Sequence, residues 1–371
     1  MWAGHWLGNR STARKSLAHG VTDEFTGRHR SAGLQSVECV KPARIDSFHQ
    51  ADAGEITPPR PLPRSPRRHR EGRRMTDTID VMLPYFGDSA HFRLAVQSVL
   101  SQTFTRFRLV CVEDASPEGD AGEWIDSLHD PRVVHVRNER NLGVAGNFTL
   151  CLALVEADHF VMMGSDDLML PNHLEVLDAA RRRYPEADLI QTRVEIIDDE
   201  GRPSRPLPDI VKAALRPRTR RRDRELQGES FASSLTRADW AYFPSLLWRT
   251  ERARRLGFDQ RYAIALDLGL ILDIALDGGR MVILDPLTFR YRRHRASASM
   301  AAARTGERFA QEREFFLAYA LRFQEHGWTR AARIARHHVV SRLNAASEVP
   351  GALLHHRDGG GASRLLSHAF R

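Results

Sequence analysis

The sequence predicts an α/β fold: a mostly parallel, twisted sheet flanked by helices, with a helical extension at its C-terminal side. Three observations carry that expectation. From Ile79 onward, short apolar runs alternate with segments of helical period. The connections between them are short. Polar and acidic residues gather directly after the apolar runs, at Pro84-Tyr85, Glu113-Asp114 and Asp166-Asp167. In parallel α/β sheets, ligands bind beyond the carboxyl ends of the strands, so these three groups are expected to meet at one cleft.

The elements follow in order. Ile79–Leu83 is an apolar run ended by Pro84, a buried-strand pattern. From Asp88 the period turns helical, with Phe92, Val96, Val99 and Leu100 on one face. FRLVCV at Phe107–Val112 is a second strand, followed by a short helix near Ala121–Leu128 and a strand at Val133–Val136. Asn141–Asn147 is a glycine-containing loop opening a helix that turns Phe148, Leu152 and Val155 inward. His159–Met163 is a strand that stops at Gly164-Ser165-Asp166-Asp167, Pro171 starts a helix, and Leu189–Ile197 is a further strand. Residues 200–228, with four prolines and the basic run Arg216–Arg224, read as an inserted loop that is either solvated or in contact with an anionic acceptor or membrane surface. Two amphipathic helices follow between about Gly306 and Ala346.

Composition bounds the rest. The chain has 371 residues, 42% hydrophobic and 27% charged, enough for a sizeable core. No stretch approaches the ~20 apolar residues of a membrane-spanning helix. Three scattered cysteines, Cys39, Cys111 and Cys151, make neither a disulfide scaffold nor a zinc knuckle, which suits a reducing cytoplasmic setting. The net charge of +8 is concentrated: residues 1–74 hold 14 Lys/Arg against 7 Asp/Glu, and the remainder is nearly balanced. Nucleic-acid binding is therefore not expected of the main domain. The proline- and arginine-rich 1–74 segment reads as a basic tail, a bland extension, or the product of a misplaced start codon, since Met75 stands directly before the first strand. The expected organisation is an extension at 1–74, the main domain at 75–300, helices at 301–350 and a flexible tail at 351–371.

Chemistry concentrates at the acidic residues. Asp166 and Asp167 are adjacent carboxylates between apolar segments, which repel and are desolvated without a partner. A divalent cation with a diphosphate is one such partner. A helix cap followed by a solvated Asp is the other reading. Asp114 suits hydrogen bonds to a nucleobase or ribose, or an ordinary turn in Asp114-Ala115-Ser116-Pro117. Asp267 falls on the apolar stripe of ALDLGLILDIAL with Leu270, Ile271 and Ile274. It is there either as a general base with a raised pKa or as a helix N-terminal Asp. Tyr291-Arg292-Arg293-His294-Arg295 packs three guanidinium groups and an imidazole at a strand end, suited to phosphate oxygens or simply solvated.

Taken together, these segments resemble family 2 glycosyltransferases of the GT-A fold, over about 220 residues from Asp80 to Ser299. The pieces are VMLPYFGD at Val81–Asp88, SVLSQTF at Ser98–Phe104, LVCVEDAS at Leu109–Ser116, NLGVAGNF at Asn141–Phe148, MGSDD at Met163–Asp167, ALDLGL at Ala265–Leu270 and YRRHRASAS at Tyr291–Ser299. The PYFGD variant and the YRRH ending look most like an actinobacterial subgroup.

The resemblance implies an inverting transferase that moves a sugar from a UDP-, GDP- or dTDP-sugar to an acceptor hydroxyl. It implies Mn²⁺ or Mg²⁺ as cofactor and a glycan or lipid-linked acceptor of cell-envelope synthesis, met at the cytoplasmic face of the membrane. By the same resemblance Pro84, Tyr85 and Phe86 line the nucleoside pocket and Asp114 contacts base or ribose. Asn141, Gly143 and Asn147 belong to the donor site. Asp166 and Asp167 match the metal motif, Asp267 the catalytic base, and Arg292 and His294 a motif near the diphosphate, with His294 a further metal contact. Departures are Phe86-Gly87 where the family has Tyr-Asn, Glu113 for the first Asp of a pair, and Leu266 for Glu. Two other classes remain. A nucleotidyltransferase would need a Gly- and Lys-rich phosphate loop near the first strand, where no Lys stands. A non-catalytic nucleotide-sugar or anionic-polymer binding module is the other alternative, and the intact Asp267 argues against it without excluding it.

Overall fold

The computed structural model describes residues 77–87, 90–116, 120–219, 222–262, 264–293, 307–355, 366–368 and 370. Four strands run parallel in the order β3-β2-β1-β4: β1 (Ile79–Tyr85), β2 (Phe107–Glu113), β3 (Val133–Arg137) and β4 (His159–Met162). Their crossovers are α1 (Ala90–Leu100), α2 (Ala121–Ser127) and α3 (Gly143–Leu154). The register pairs Tyr85 with Glu113 and Met82 with Met162, so the ends of β1, β2 and β4 open on one side.

Beyond β4 the sheet becomes mixed. β8 (Leu246–Arg249) lies antiparallel to β4 and to β6 (Leu189–Ile197), and β6 runs parallel to the long β9 (Arg280–Arg292). The two-residue β5 (Leu168–Met169) pairs antiparallel with the end of β9, and β7 (Arg224–Gln227) with its start. The β5 pairing brings the segment after Asp167 beside Tyr291 and Arg292.

Strand residues alternate between two cores, as period-2 patterning requires. Val81, Leu83 and Tyr85 of β1 pack with Phe92, Val96 and Val99 of α1 and with Leu174 and Leu177 of α4 (His173–Arg183). Met82, Val110 and Met162 face the other side, with Trp240, Trp248 and α8 (Leu266–Leu276). α6 (Gly228–Ala238) packs between α5 (Leu207–Leu215) and α8, with α7 (Thr250–Leu256) also against α8. Each fully buried large side chain contributes about 1.5–3 kcal/mol by leaving water.

The structure corrects several boundaries. The 200–228 stretch is not a plain loop: it holds α5 and β7, and Pro206 and Pro208 stand at the first turn of α5, where a missing N–H costs nothing. Pro171 does not begin a helix; α4 starts at His173. The C-terminal region holds three helices, α9 (Glu307–Glu325), α10 (Thr329–His337) and α11 (Val339–His355), because Gly327 and His338, both at positive φ, break the run twice. No helix among the described residues is long and apolar enough to cross a membrane.

Candidate active site

The ends of β1 and β2 are tied by side chains. The Tyr85 ring stacks on Phe92 at 4.2 Å, and its hydroxyl donates to Glu113 Oε2 at 3.1 Å. Glu113 also pairs with Arg137 at 2.8 Å and lies 3.2 Å from His135. Asp114 Oδ1 accepts from Asn138 Nδ2 at 2.9 Å and from the Leu142 N–H at 2.7 Å, which fixes the loop after β3 against the end of β2. Asn147 bridges Asn138 and the Val112 carbonyl, and Asn141 Oδ1 accepts the Gly143 N–H. Gly143 has φ +70°, which turns the chain sharply into α3.

At the end of β4, Asp167 is 1% exposed. One oxygen accepts the Arg292 N–H at 2.8 Å, while Oδ2 is buried without a hydrogen-bond partner among the described residues. Burial, and next the charge of Asp166, push its pKa well above the carboxylate range. Gly164 makes room for both carboxylates: a Cβ there would lie 2.6 Å from Asp167 Oδ2 and 3.1 Å from Asp166 Oδ1. An orphaned carboxylate oxygen beside a second carboxylate, in a cradle that only glycine leaves open, is a donor set that fits a hard divalent cation. No group of three or more His, Cys, Asp and Glu side chains gathers there among the described residues, so such an ion would take its remaining ligands from diphosphate oxygens and water.

Across the cleft, Asp267 stands in the first turn of α8, where Oδ1 accepts the Leu268 N–H at 2.8 Å. Burial raises its pKa, against the opposing pull of that N–H and of Lys212. Tyr291 joins the two acidic groups. Burial foremost, then the charges of Asp167, Asp166 and Asp267, hold its phenol protonated. Its ring lies 5.2 Å from that of Tyr242, whose hydroxyl donates to Asp209 at 2.9 Å. Asp209 is in turn ion-paired with Arg293. Lys212, also on α5, reaches Asp239 at 3.1 Å.

The ends of β1 and β2 are joined at Tyr85 and Glu113-Asp114, and Tyr291 lies within electrostatic reach of Asp166, Asp167 and Asp267. The structure departs from expectation at several side chains. Arg292 does not extend toward a diphosphate: its Nε donates to the Asp166 carbonyl and its Nη1 to the Asp198 and Asp199 carbonyls, so it braces the acidic turn. Asn147, 3% exposed, is committed to its two internal bonds, and Asn141 and Gly143 shape a turn. Tyr85 and Pro84 are buried in the strand, leaving Phe86, 59% exposed, as the apolar surface at that corner. His294 lies outside the described residues. Sequence reasoning named Tyr291 only as part of its basic run and gave Gly164, Lys212 and Asp239 no role. Gly164 before two aspartates was a readable signal; Lys212 and Asp239 come from elements distant in sequence and gave none.

Comparison with known proteins comes down on one family. Residues 80–242 match the model of Glycosyl transferase family 2, a span that includes Asp114, Asp166 and Asp167 but ends before Asp267. An uncharacterized glycosyltransferase of Methanocaldococcus jannaschii is 22% identical over 214 residues, covering 57% of this chain and 69% of that protein. EpsE of Bacillus subtilis, named as a glycosyltransferase, is 25% identical over 140 residues, or 37% of this chain and 50% of that one. The fold is shared with Staphylococcus aureus TarS 1–349, solved in complex with UDP-GlcNAc: TM-score 0.57, 16% identity, 78% of this chain and 79% of that one.

Proposed function

From the premise that this chain carries a family 2 glycosyltransferase domain over residues 80–242, we propose that it is an inverting, metal-dependent glycosyltransferase. The observation that carries this reading is the buried Asp167 oxygen that has no hydrogen-bond partner among the described residues, beside Asp166 and within electrostatic reach of Tyr291, which Asp267 also reaches. A nucleoside-diphosphate sugar is the donor and an acceptor hydroxyl the nucleophile. The UDP-GlcNAc complex of TarS and the family match support a nucleotide-sugar donor.

Asp267 takes the proton of the acceptor hydroxyl as its oxygen attacks the anomeric carbon, from the face opposite the leaving diphosphate. Burial suits Asp267 to this, since a carboxylate with a raised pKa is a stronger base. Asp166 and Asp167 would hold Mn²⁺ or Mg²⁺, which when bound supplies positive charge for the leaving diphosphate. Arg292 keeps the pair in place, donating its backbone N–H to the Asp167 carboxylate and its Nε to the Asp166 carbonyl. Asp114 orders the loop beside the nucleoside pocket, and Phe86 offers it an apolar face. His294 stands close in sequence to this bracing and is a further contact for the ion or diphosphate. The acceptor is a glycan or lipid-linked glycan of the cell envelope, met in the cytoplasm or at the membrane's cytoplasmic face.

The test is thermal unfolding of the full chain with UDP, GDP and dTDP, with and without Mn²⁺, followed by turnover of the matching sugar nucleotides. A ligand at 100 times its Kd adds about 2.7 kcal/mol. One base is expected to give a metal-dependent rise. Asp267→Asn should keep that rise while losing about 10²–10⁴ in turnover. No rise with any nucleotide, or full turnover by Asp267→Asn, rejects the assignment.

A further inference from the structure

Between Glu325 and Glu348 the chain runs for 22 residues without an acidic side chain, in a sequence that carries 47. That stretch holds Arg330, Arg333, Arg336 and Arg342, and it covers α10 and the start of α11. α10 has two faces: Ala331, Ala332 and Ala335 are buried, while Arg330, Arg333 and Arg336 are exposed. No ion pair engages these three arginines among the described residues, and Arg336 donates to the Gln324 side chain at 2.9 Å. The chain reverses at His338, φ 31°, into α11. Val339 and Leu343, one turn apart on α11, are exposed, and so are Leu366 and Phe370 on either side of His368, all between 42% and 73%. His368 brings the two segments together: its Nε2 lies 2.9 Å from Ser341 Oγ, and its ring is 5.2 Å from that of His338. Four of the ten exposed large apolar side chains among the described residues thus collect at one corner, beside arginines.

We propose that this corner docks the protein onto an anionic lipid bilayer. The α10 arginines meet the phosphates of the headgroups, and Val339, Leu343, Leu366 and Phe370 enter the boundary of the acyl region. Segments that bind in the membrane interface combine exposed apolar side chains with basic ones, and an anionic leaflet attracts each arginine near it. A soluble polyanion would match the arginines but leave the four apolar side chains in water, whereas a bilayer takes both. α5 also exposes Leu207 and Ile210, but Arg202 before it is already paired with Asp198 and Glu200. The corner is fastened to the helices of the cleft. Glu229 of α6 accepts the Arg330 and Ala331 N–H groups at 2.6 and 3.1 Å. Tyr319 of α9 donates to the Gly269 carbonyl of α8 at 3.0 Å, two residues from Asp267. Docking here deepens, and rests on, the lipid-linked acceptor proposed above, since a surface-bound enzyme meets such an acceptor in the plane of the membrane.

The test is co-sedimentation of the full chain with vesicles of phosphatidylcholine, with and without phosphatidylglycerol, in the absence of any nucleotide. Binding should require phosphatidylglycerol and weaken as salt is raised. Arg333→Gln combined with Arg336→Gln should lower the partition coefficient about 30-fold, near fivefold for each arginine. Val339→Asn combined with Leu343→Asn should lower it about tenfold, a modest value for returning two partly inserted apolar side chains to water. All four side chains are exposed or at the surface of the corner, so both double variants should keep the wild-type thermal midpoint. Absence of binding to phosphatidylglycerol vesicles overturns the proposal. So does binding that survives both double substitutions, which would place the contact on another basic part of the chain, such as residues 1–74. Loss with the arginine pair but not with the apolar pair also overturns it, and marks a site for a soluble polyanion. Asp267→Asn should bind vesicles as the wild type does. Vesicle binding without any nucleotide-dependent stabilisation would defeat the transferase reading alone, and nucleotide stabilisation without vesicle binding would defeat the docking alone.

Discussion

Asp80 and Asp167 belong to opposite ends of the same sheet, and each is 1% exposed. Asp80, near the start of β1, accepts from Arg108 Nε at 3.2 Å and Nη2 at 2.7 Å, and from the N–H groups of Glu156 at 2.6 Å and Ala157 at 3.1 Å. Asp167, past the end of β4, accepts one bond and has an oxygen without a hydrogen-bond partner among the described residues. Equal burial with unequal satisfaction separates a carboxylate that holds the fold from one that the proposed function gives to a ligand. Buried charge is tolerated when paired and hydrogen-bonded, and it is costly otherwise. The amino end of the sheet is finished by the protein itself; the carboxyl end is left to the ligand proposed above.

The largest expected effect breaks the satisfied end. Asp80→Ala strands the Arg108 guanidinium and two N–H groups, and should cost about 3–5 kcal/mol, the range for breaking a buried ion pair from one side. For a domain of this size that is a midpoint lower by on the order of 10 °C. A thermal midpoint within two or so degrees of wild type would show that the two carboxylates do not differ as described.

Gly164→Ala comes next, and it acts on the unsatisfied end. The new methyl lies 2.6 Å from Asp167 Oδ2, and the carboxylate has little room to retreat. Overpacking of this kind costs about 1–3 kcal/mol. It should also abolish the Mn²⁺-dependent part of nucleotide stabilisation. A variant that keeps full metal-dependent stabilisation would remove Gly164 from the site.

Asp167→Asn should move stability the other way. The amide keeps the acceptor for the Arg292 N–H and removes a buried charge, so the ligand-free protein should gain about 1 kcal/mol, as relieved functional sites commonly do. The same variant should lose the metal-dependent nucleotide shift. Unfolding in urea without ligand reads the first effect, and a destabilised variant would mean that Asp167 is already paid for within the chain.

The two ends were not equally legible. The parallel core was read from apolar runs, because buried strands and short crossovers leave a periodic signature: Leu189–Ile197 was placed to the residue. Asp166, Asp167 and Asp267 stand out in the sequence because carboxylates interrupt apolar segments. What the sequence hid was pairing. Whether Asn147 and Arg292 face a ligand or a carbonyl depends on Asn138 and on Asp198, and those contacts carry no local pattern. Helix α5 was hidden by its prolines and flanking arginines, which read as loop until the packing against α6 is known. Lys212 became visible only with the helix that carries it.

The smallest expected effect is in the pH dependence of stability. The folded state raises the pKa of Asp167 above its unfolded value, by burial and by Asp166. Unfolded aspartates titrate near 3.9. Between that pH and the raised folded value, the folded state holds more protons than the unfolded chain, so stability falls as pH rises. Other aspartates carry the opposite sign. Asp130, Asp178, Asp198, Asp259 and Asp277 are lowered, chiefly by bonds from neighbouring arginines in most of them, and they withdraw stability only as pH falls through the acid range below 4. The informative quantity is therefore a difference. The midpoint of Asp167→Asn minus that of wild type should grow from near zero at about pH 4 to a few degrees at neutrality, as the wild-type carboxyl is forced to ionise. Saturating Mn²⁺ with the preferred nucleotide should reverse that difference above the folded pKa, because the ion favours the charged form that burial opposes. A difference that stays constant with pH would mean that Asp167 ionises in the folded protein as freely as in the unfolded chain, and the contrast with Asp80 would then rest on geometry alone.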